Sequence, residues 1–173
     1  CRHKLRRAMG RPGRERLTEE VEVDEVCVGG GEPGQGRRHL GETKALVAVA
    51  AEVRGPGIGR IRLQRIPNAS GASLVGFVQR VVEPGTVVMT DGWTAYPELD
   101  QHGYRHRPRV VSGSGQTASA LLPRVHRVAA LLKRWLLGMP QGAVSHEHLE
   151  DYLNEFTFRF NRRLSRHRGK LFY

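Results

Sequence analysis

The stretch Glu22-Val23-Asp24-Glu25-Val26-Cys27-Val28-Gly29-Gly30 sets acidic residues inside a β-branched apolar run. β-Branched residues favour a pleated, half-buried strand. An ionised carboxylate leaves water only when it is paired or holds a cation. Side chains alternate along a strand, so Val21 and Val23 share one face, and Glu22, Asp24, Val26 and Val28 share the other. One further Asp has comparable surroundings, Asp91 at the end of Val87-Val88-Met89-Thr90. A fold that brings Asp24 and Asp91 together would give both carboxylates their reason.

The rest of the chain supplies such a fold. Residues 20–28 read as a first strand. A continuous apolar run over 44–53 reads as a central strand, and the alternation over 59–66, with Ile61, Leu63 and Ile66 inward and Arg60, Arg62 and Gln64 outward, as a third. Gly55-Pro56-Gly57 makes the turn between them, so the three form a meander. Ser70 or Asn68 caps a helix over 71–82, and 86–90 is a short strand delivering Asp91. The stretch 102–111 is basic and partly β-like, and 92–99 begins as a helical turn stopped by Pro97. A periodic helix follows over 121–137, with Leu121, Val125, Val128, Leu132 and Leu136 as its core face and Pro123 in the first turn. The last helix, 146–161, carries an apolar stripe of Leu149, Tyr152, Leu153, Phe156 and Phe160. The expected fold class is α/β: a mixed sheet in β-β-β-α-β-α order, flanked by helices.

Charge narrows the partner. With 28 Lys and Arg against 17 Asp and Glu, the net charge is +11. Phosphate neutralisation with counterion release rewards such a surface; a merely solvated basic surface is the alternative. Residues 1–16 are a basic arm or the end of an upstream DNA-binding module, and 17–173 form the main domain. The Gly-rich segment 29–43 lacks the spacing of a phosphate-binding loop. Cys1 and Cys27 form no C-x-x-C pair, which argues against a zinc site, and Cys27 is expected to be a small buried hydrophobe. No apolar run approaches the roughly 20 residues needed to span a bilayer, and no signal peptide is visible, so the chain reads as cytoplasmic, without a membrane partner. Its start at Cys1 within a basic segment reads as a fragment of a longer protein.

In the expected sheet the first and fourth strands are neighbours, and the helix over 121–137 presents His126 and Lys133, seven residues apart, on one edge. Asp24 and Asp91 with a third donor from that helix would hold a pair of hard divalent cations suited to phosphoryl transfer. Glu147, Glu150 and Glu155 are rival third donors.

These residues resemble the ISXO-like transposase domain of bacterial insertion sequences, within the DDE superfamily and its RNase H-like fold. The matching pieces are Val21–Gly30 (VEVDEVCVGG), Thr90–Tyr96 (TDGWTAY), Leu131–Arg134 (LLKR) and Tyr152–Arg163 (YLNEFTFRFNRR), and the resemblance runs over about residues 4–172. It implies metal-dependent DNA strand cleavage and transfer at insertion-sequence ends. Carried over position by position, the metal ligands become Asp24, Asp91 and His126, with Lys133 contacting a DNA phosphate. His126 stands where the family most often has Glu, and its softer nitrogen favours Mn²⁺ over Mg²⁺ relative to an all-carboxylate site. Arg127, Arg134, Arg162 and Arg163 are the further DNA contacts expected. The resemblance also implies double-stranded DNA as partner, as transposon ends and target, and a homo-oligomer assembled on it. The zinc-ribbon segment that such transposases often carry upstream is not visible here. An inactive remnant that only binds DNA, or a basic nucleic-acid-binding module in which Asp24 and Asp91 are structural, are the readings it competes with.

Overall fold

The computed structural model describes residues 9–10, 15–29, 44–91, 98–109, 118–139 and 148–165. Strand β1 (Glu20–Val28) pairs antiparallel with β2 (Ala45–Arg54), and β2 pairs antiparallel with β3 (Gly57–Ile66). The β2–β3 turn uses Gly55 at φ +53°, a left-handed conformation that glycine adopts without steric penalty. Helix α1 (Gly71–Val81) leads to β4 (Val87–Thr90), which lies parallel to β1, and a single 3₁₀ turn at Asp100–His102 precedes β5 (Arg105–Pro108), parallel to β4. The five-stranded sheet has the order β3-β2-β1-β4-β5. Three helices complete the described chain: α2 (Ala118–Leu121), α3 (Pro123–Leu137) and α4 (Leu149–Asn161).

The strand order puts β1 at the centre, between β2 and β4, as the meander and the parallel return require. Each face of the sheet has its own core. On one, Val21, Val23, Ala48, Ala50 and Val88 pack with Leu74, Phe77 and Val78 of α1. On the other, Val28, Val47, Val49 and Met89 pack with Leu122, Val125, Val128 and Leu132, and with Leu149, Leu153 and Phe156 of α4. Trp135 joins the two helices of this second layer, its ring centroid 6.0 Å from Tyr152 and 5.5 Å from Phe156.

Three expectations change. The helix expected over 121–137 is broken at Leu122 (φ −128°, ψ 63°). A residue preceding proline is pushed out of the α region, so Pro123 restarts the helix, and Leu122 rather than Leu121 is fully buried. Arg62 points inward rather than to water, and its guanidinium donates to the carbonyls of Ile61 and Glu15. Cys27 is exposed rather than buried. By strand alternation it lies on the Val21–Val23 face of β1. The expected helical turn at 92–97, most of the Gly-rich segment and most of the N-terminal arm lie outside the described residues.

Candidate active site

The site is built where the centre of the sheet meets the start of α3. Glu22 and Asp24 sit two residues apart on the same face of β1, so both point toward α3. An α-helix leaves its first N–H groups without internal partners, and Leu122 offers α3 no side-chain cap. Glu22 supplies one from the sheet. It is 1% exposed, and its Oε2 accepts from the backbone N–H groups of Arg124 (2.7 Å) and Val125 (3.0 Å). Its Oε1 accepts from Arg124 Nη1 at 2.9 Å. The same guanidinium donates through Nε to the Gly57 carbonyl at 2.9 Å, which ties the helix start to the β2–β3 turn.

His126 is the next residue in α3. Its Nε2 stands 3.6 Å from Asp24 Oδ2, longer than a hydrogen bond. That nitrogen is buried and makes no hydrogen bond. Asp91 follows β4. The parallel register pairs Glu20 with Val87 and Glu22 with Met89, and continuing it sets Asp91 beside Asp24. Burial, chiefly, and the like charge of Asp91 push the Asp24 carboxyl above its usual value; a hydrogen bond from the Glu25 N–H and the proximity of His126 act the other way.

The donors are chemically suited to a divalent cation. A carboxylate held partly out of water beside a second carboxylate lacks positive charge, and a buried imidazole nitrogen lacks a partner. One cation would answer both. Among the described residues, however, no three His, Cys, Asp or Glu side chains are gathered closely enough to hold an ion. Asp24 and His126 are brought together; Asp91 is in register and electrostatically felt, without closing the cluster.

A sequence profile of the ISXO2-like transposase domain matches residues 16–161. The chain belongs to the ISXO2-like transposase family. The fold of this transposase domain is RNase H-like. It is similar to a chain in the cryoEM structure of the simian T-cell lymphotropic virus intasome in complex with PP2A regulatory subunit B56 gamma. That match has a TM-score of 0.53 at 16% identity and covers 88% of this chain and 51% of that one. The chain therefore spans about half the length of that neighbour. No curated protein matches it. Among the described residues, no helix of the transposase domain is long and apolar enough to cross a membrane.

The expected cationic residues divide into two kinds. Lys133, Arg127 and Arg134 are exposed on α3. Lys133 lies two turns, about 10 Å, beyond His126, and with Lys44 it borders a cavity of about 410 Å³ beside Cys27 and Leu136. Arg162 and Arg163 are held against the fold. The Arg162 guanidinium stacks 3.9 Å over the Phe158 ring. That of Arg163 lies 4.0 Å over Phe160 and donates to the carbonyls of Ile58, Gly59 and Phe160, joining the end of α4 to β3. Glu150 accepts from the backbone N–H of Arg65 at 3.4 Å, and Glu155 pairs with Arg159; Glu147 lies outside the described residues.

The sequence reading missed Arg124. The signal was present: Leu122-Pro123 opens a helix without a capping side chain, so its N–H groups had to be satisfied from elsewhere in the fold.

Proposed function

We propose that this chain is the catalytic domain of a transposase that cleaves and joins DNA strands at insertion-sequence ends. Residues 17–173 are the catalytic unit, and residues 1–16 a basic arm toward DNA. Asp24, Asp91 and His126 hold divalent cations, Mg²⁺ or Mn²⁺, which when bound supply the charge that stabilises a phosphoryl-transfer transition state. Asp24 and Asp91 provide hard oxygen donors from adjacent strands, and His126 provides the third donor from α3. Lys133, with Arg127 and Arg134, orients the DNA backbone on the exposed side of that helix. Such a domain acts as a homo-oligomer on paired DNA ends in the bacterial cytoplasm, at the nucleoid.

One observation carries the reading: the 3.6 Å approach of an otherwise unpaired, buried His126 Nε2 to Asp24, in a chain of transposase family. The test is strand nicking and joining on transposon-end DNA with Mg²⁺ or Mn²⁺. Asp24→Asn and Asp91→Asn should each lower the rate by more than the about 10–100-fold typical of residues that only orient a ligand. Unchanged rates in these variants would defeat the mechanism. If only His126→Ala keeps full activity, the third-ligand assignment fails alone. His126→Glu should raise the use of Mg²⁺ relative to Mn²⁺. A wild-type chain that binds DNA but never turns over is a DNA-binding remnant.

A further inference from the structure

The sheet edge nearest Asp91 carries a second positive surface, distinct from the cations of α3. Strand β5 reads Arg105-His106-Arg107-Pro108 and continues into Arg109. Its neighbour is β4 on one side, and among the described residues no strand lies beside it on the other. Arg105, Arg107 and Arg109 are all exposed.

Their orientation follows from the register. Val87 pairs with Arg105 and Met89 with Arg107, and in a parallel pair such partners point to the same face. Val87 and Met89 belong to the core beneath α3 and α4, so the arginines rise from the face that carries Glu22 and Asp24. Two side-chain contacts agree: Arg107 Nη1 lies 3.7 Å from Glu20 Oε1, and Arg109 Nη2 lies 3.8 Å from Met89 Sδ. His106 turns to the opposite face, where its Nε2 meets Thr90 Oγ1 at 2.9 Å. The Arg109 N–H donates to the Thr90 carbonyl at 2.7 Å, so the third arginine is level with Asp91.

The result is a ladder of three guanidinium groups that climbs β5 and ends beside a proposed catalytic carboxylate. Alternate residues of a strand are about 6.6 Å apart, close to the separation of successive phosphates along a nucleic-acid strand. Arginine is the residue whose planar fork suits phosphate oxygens. The Arg107–Glu20 pair does not close the surface, because both side chains are largely exposed at 59% and 43% and such pairs are weak.

We propose that Arg105, Arg107 and Arg109 form a track for the sugar–phosphate backbone of one DNA strand, leading it along the sheet edge to Asp91. The proposal rests on the reading of this chain as a DNA-processing domain and adds a route to the site.

The test is binding of a labelled DNA duplex with a single-stranded tail, followed by fluorescence anisotropy across a series of potassium chloride concentrations. It compares the wild-type chain with the combined variant Arg105→Ala, Arg107→Ala, Arg109→Ala, with the corresponding triple Lys variant, and with Arg80→Ala on α1 of the opposite layer. Each phosphate contact contributes about 0.7–0.9 to the slope of log K against log salt. The Ala triple should flatten that slope by about 2–3, while the Lys triple and Arg80→Ala leave it near the wild-type value. A folded Ala triple with the wild-type slope overturns the track and leaves the DNA reading standing. Charged edge strands also serve to prevent pairing with another chain; an Ala triple that self-associates while keeping the wild-type slope assigns the arginines to that role and overturns the track equally. A wild-type chain without salt-dependent DNA binding defeats the broader reading, and the track with it.

Discussion

Two helix starts in this molecule solve the same problem by different means. Helix α1 is capped by its own neighbourhood: Ser70 Oγ accepts from the Ser73 N–H at 3.3 Å, and Asn68 Oδ1 accepts from the Ser70 N–H at 3.1 Å. Helix α3 begins Leu122-Pro123 and has no local cap. Its first N–H groups are satisfied by Glu22, 102 and 103 residues earlier in the chain. The local cap decides only where α1 begins. The distant cap also decides where α3 sits on the sheet, because the residue it holds adjoins His126 and the strand it comes from carries Asp24. At α3 helix capping and site assembly are the same interaction.

The comparison can be broken most forcefully at Glu22. Glu22→Ala leaves Arg124 without its ion-pair partner and two backbone N–H groups without an acceptor. The expected loss is about 3–5 kcal/mol of unfolding free energy, measured by urea titration. Glu22→Gln keeps a carbonyl acceptor and removes the charge, so the loss should fall to about 1.5–3 kcal/mol. In both variants of the folded chain, the affinity for Mn²⁺, read by titration calorimetry, should weaken as well. Retained affinity would separate the cap from the site. Ser70→Ala should cost about 1 kcal/mol with Mn²⁺ affinity unchanged. A loss equal to that of Glu22→Ala would erase the difference between the two caps.

The smallest effect is one of sign, at Asp24. Its carboxyl lies above the usual 3.8 in the folded chain, so the folded state binds this proton more tightly than the unfolded state. The contribution of Asp24 to stability is full below about 3.8 and is lost as the pH rises through the folded-state value. Asparagine does not ionise. Asp24→Asn should therefore match the wild type in acid and melt at the higher temperature once the pH exceeds that value. Thermal melts of both chains across this window decide it; a more stable wild type at neutral pH would mean that the Asp24 charge is satisfied within the fold. Glu22 and Asp24 would then no longer contrast as a carboxylate that holds the fold and one that strains it.

What was legible in the sequence follows the same division between local and distant. The meander could be read because β2 is apolar from Ala45 to Ala51 and β3 alternates, and α1 because Ser70 precedes a helical run. Asp24 and Asp91 stood out because charge interrupts two apolar strands, and the parallel β1–β4 pairing that aligns them follows from a meander with a helical return. The break at Leu122 was also written locally, in the proline after it. The inward turn of Arg62 was not, because its acceptor on Glu15 comes from the chain before β1. The structural duty of Arg163 was hidden for the same reason: its carbonyl partners at Ile58 and Gly59 lie over a hundred residues away. The internal contacts of Arg163 add a structural role to the DNA contact expected of it.

The distance in sequence between Glu22 and Arg124 also has a meaning in time. On a growing chain, Glu22 precedes Arg124 by 102 residues, which at about 5–20 residues per second amounts to roughly 5–20 s of synthesis. The meander and α1 have all their own residues in hand within that interval, and one core can close. The opposite face waits, its two carboxylates still hydrated, until α3 and then α4 emerge. Glu22 and Asp24 are thus in place on the chain well before the helix segment that carries Arg124 and His126.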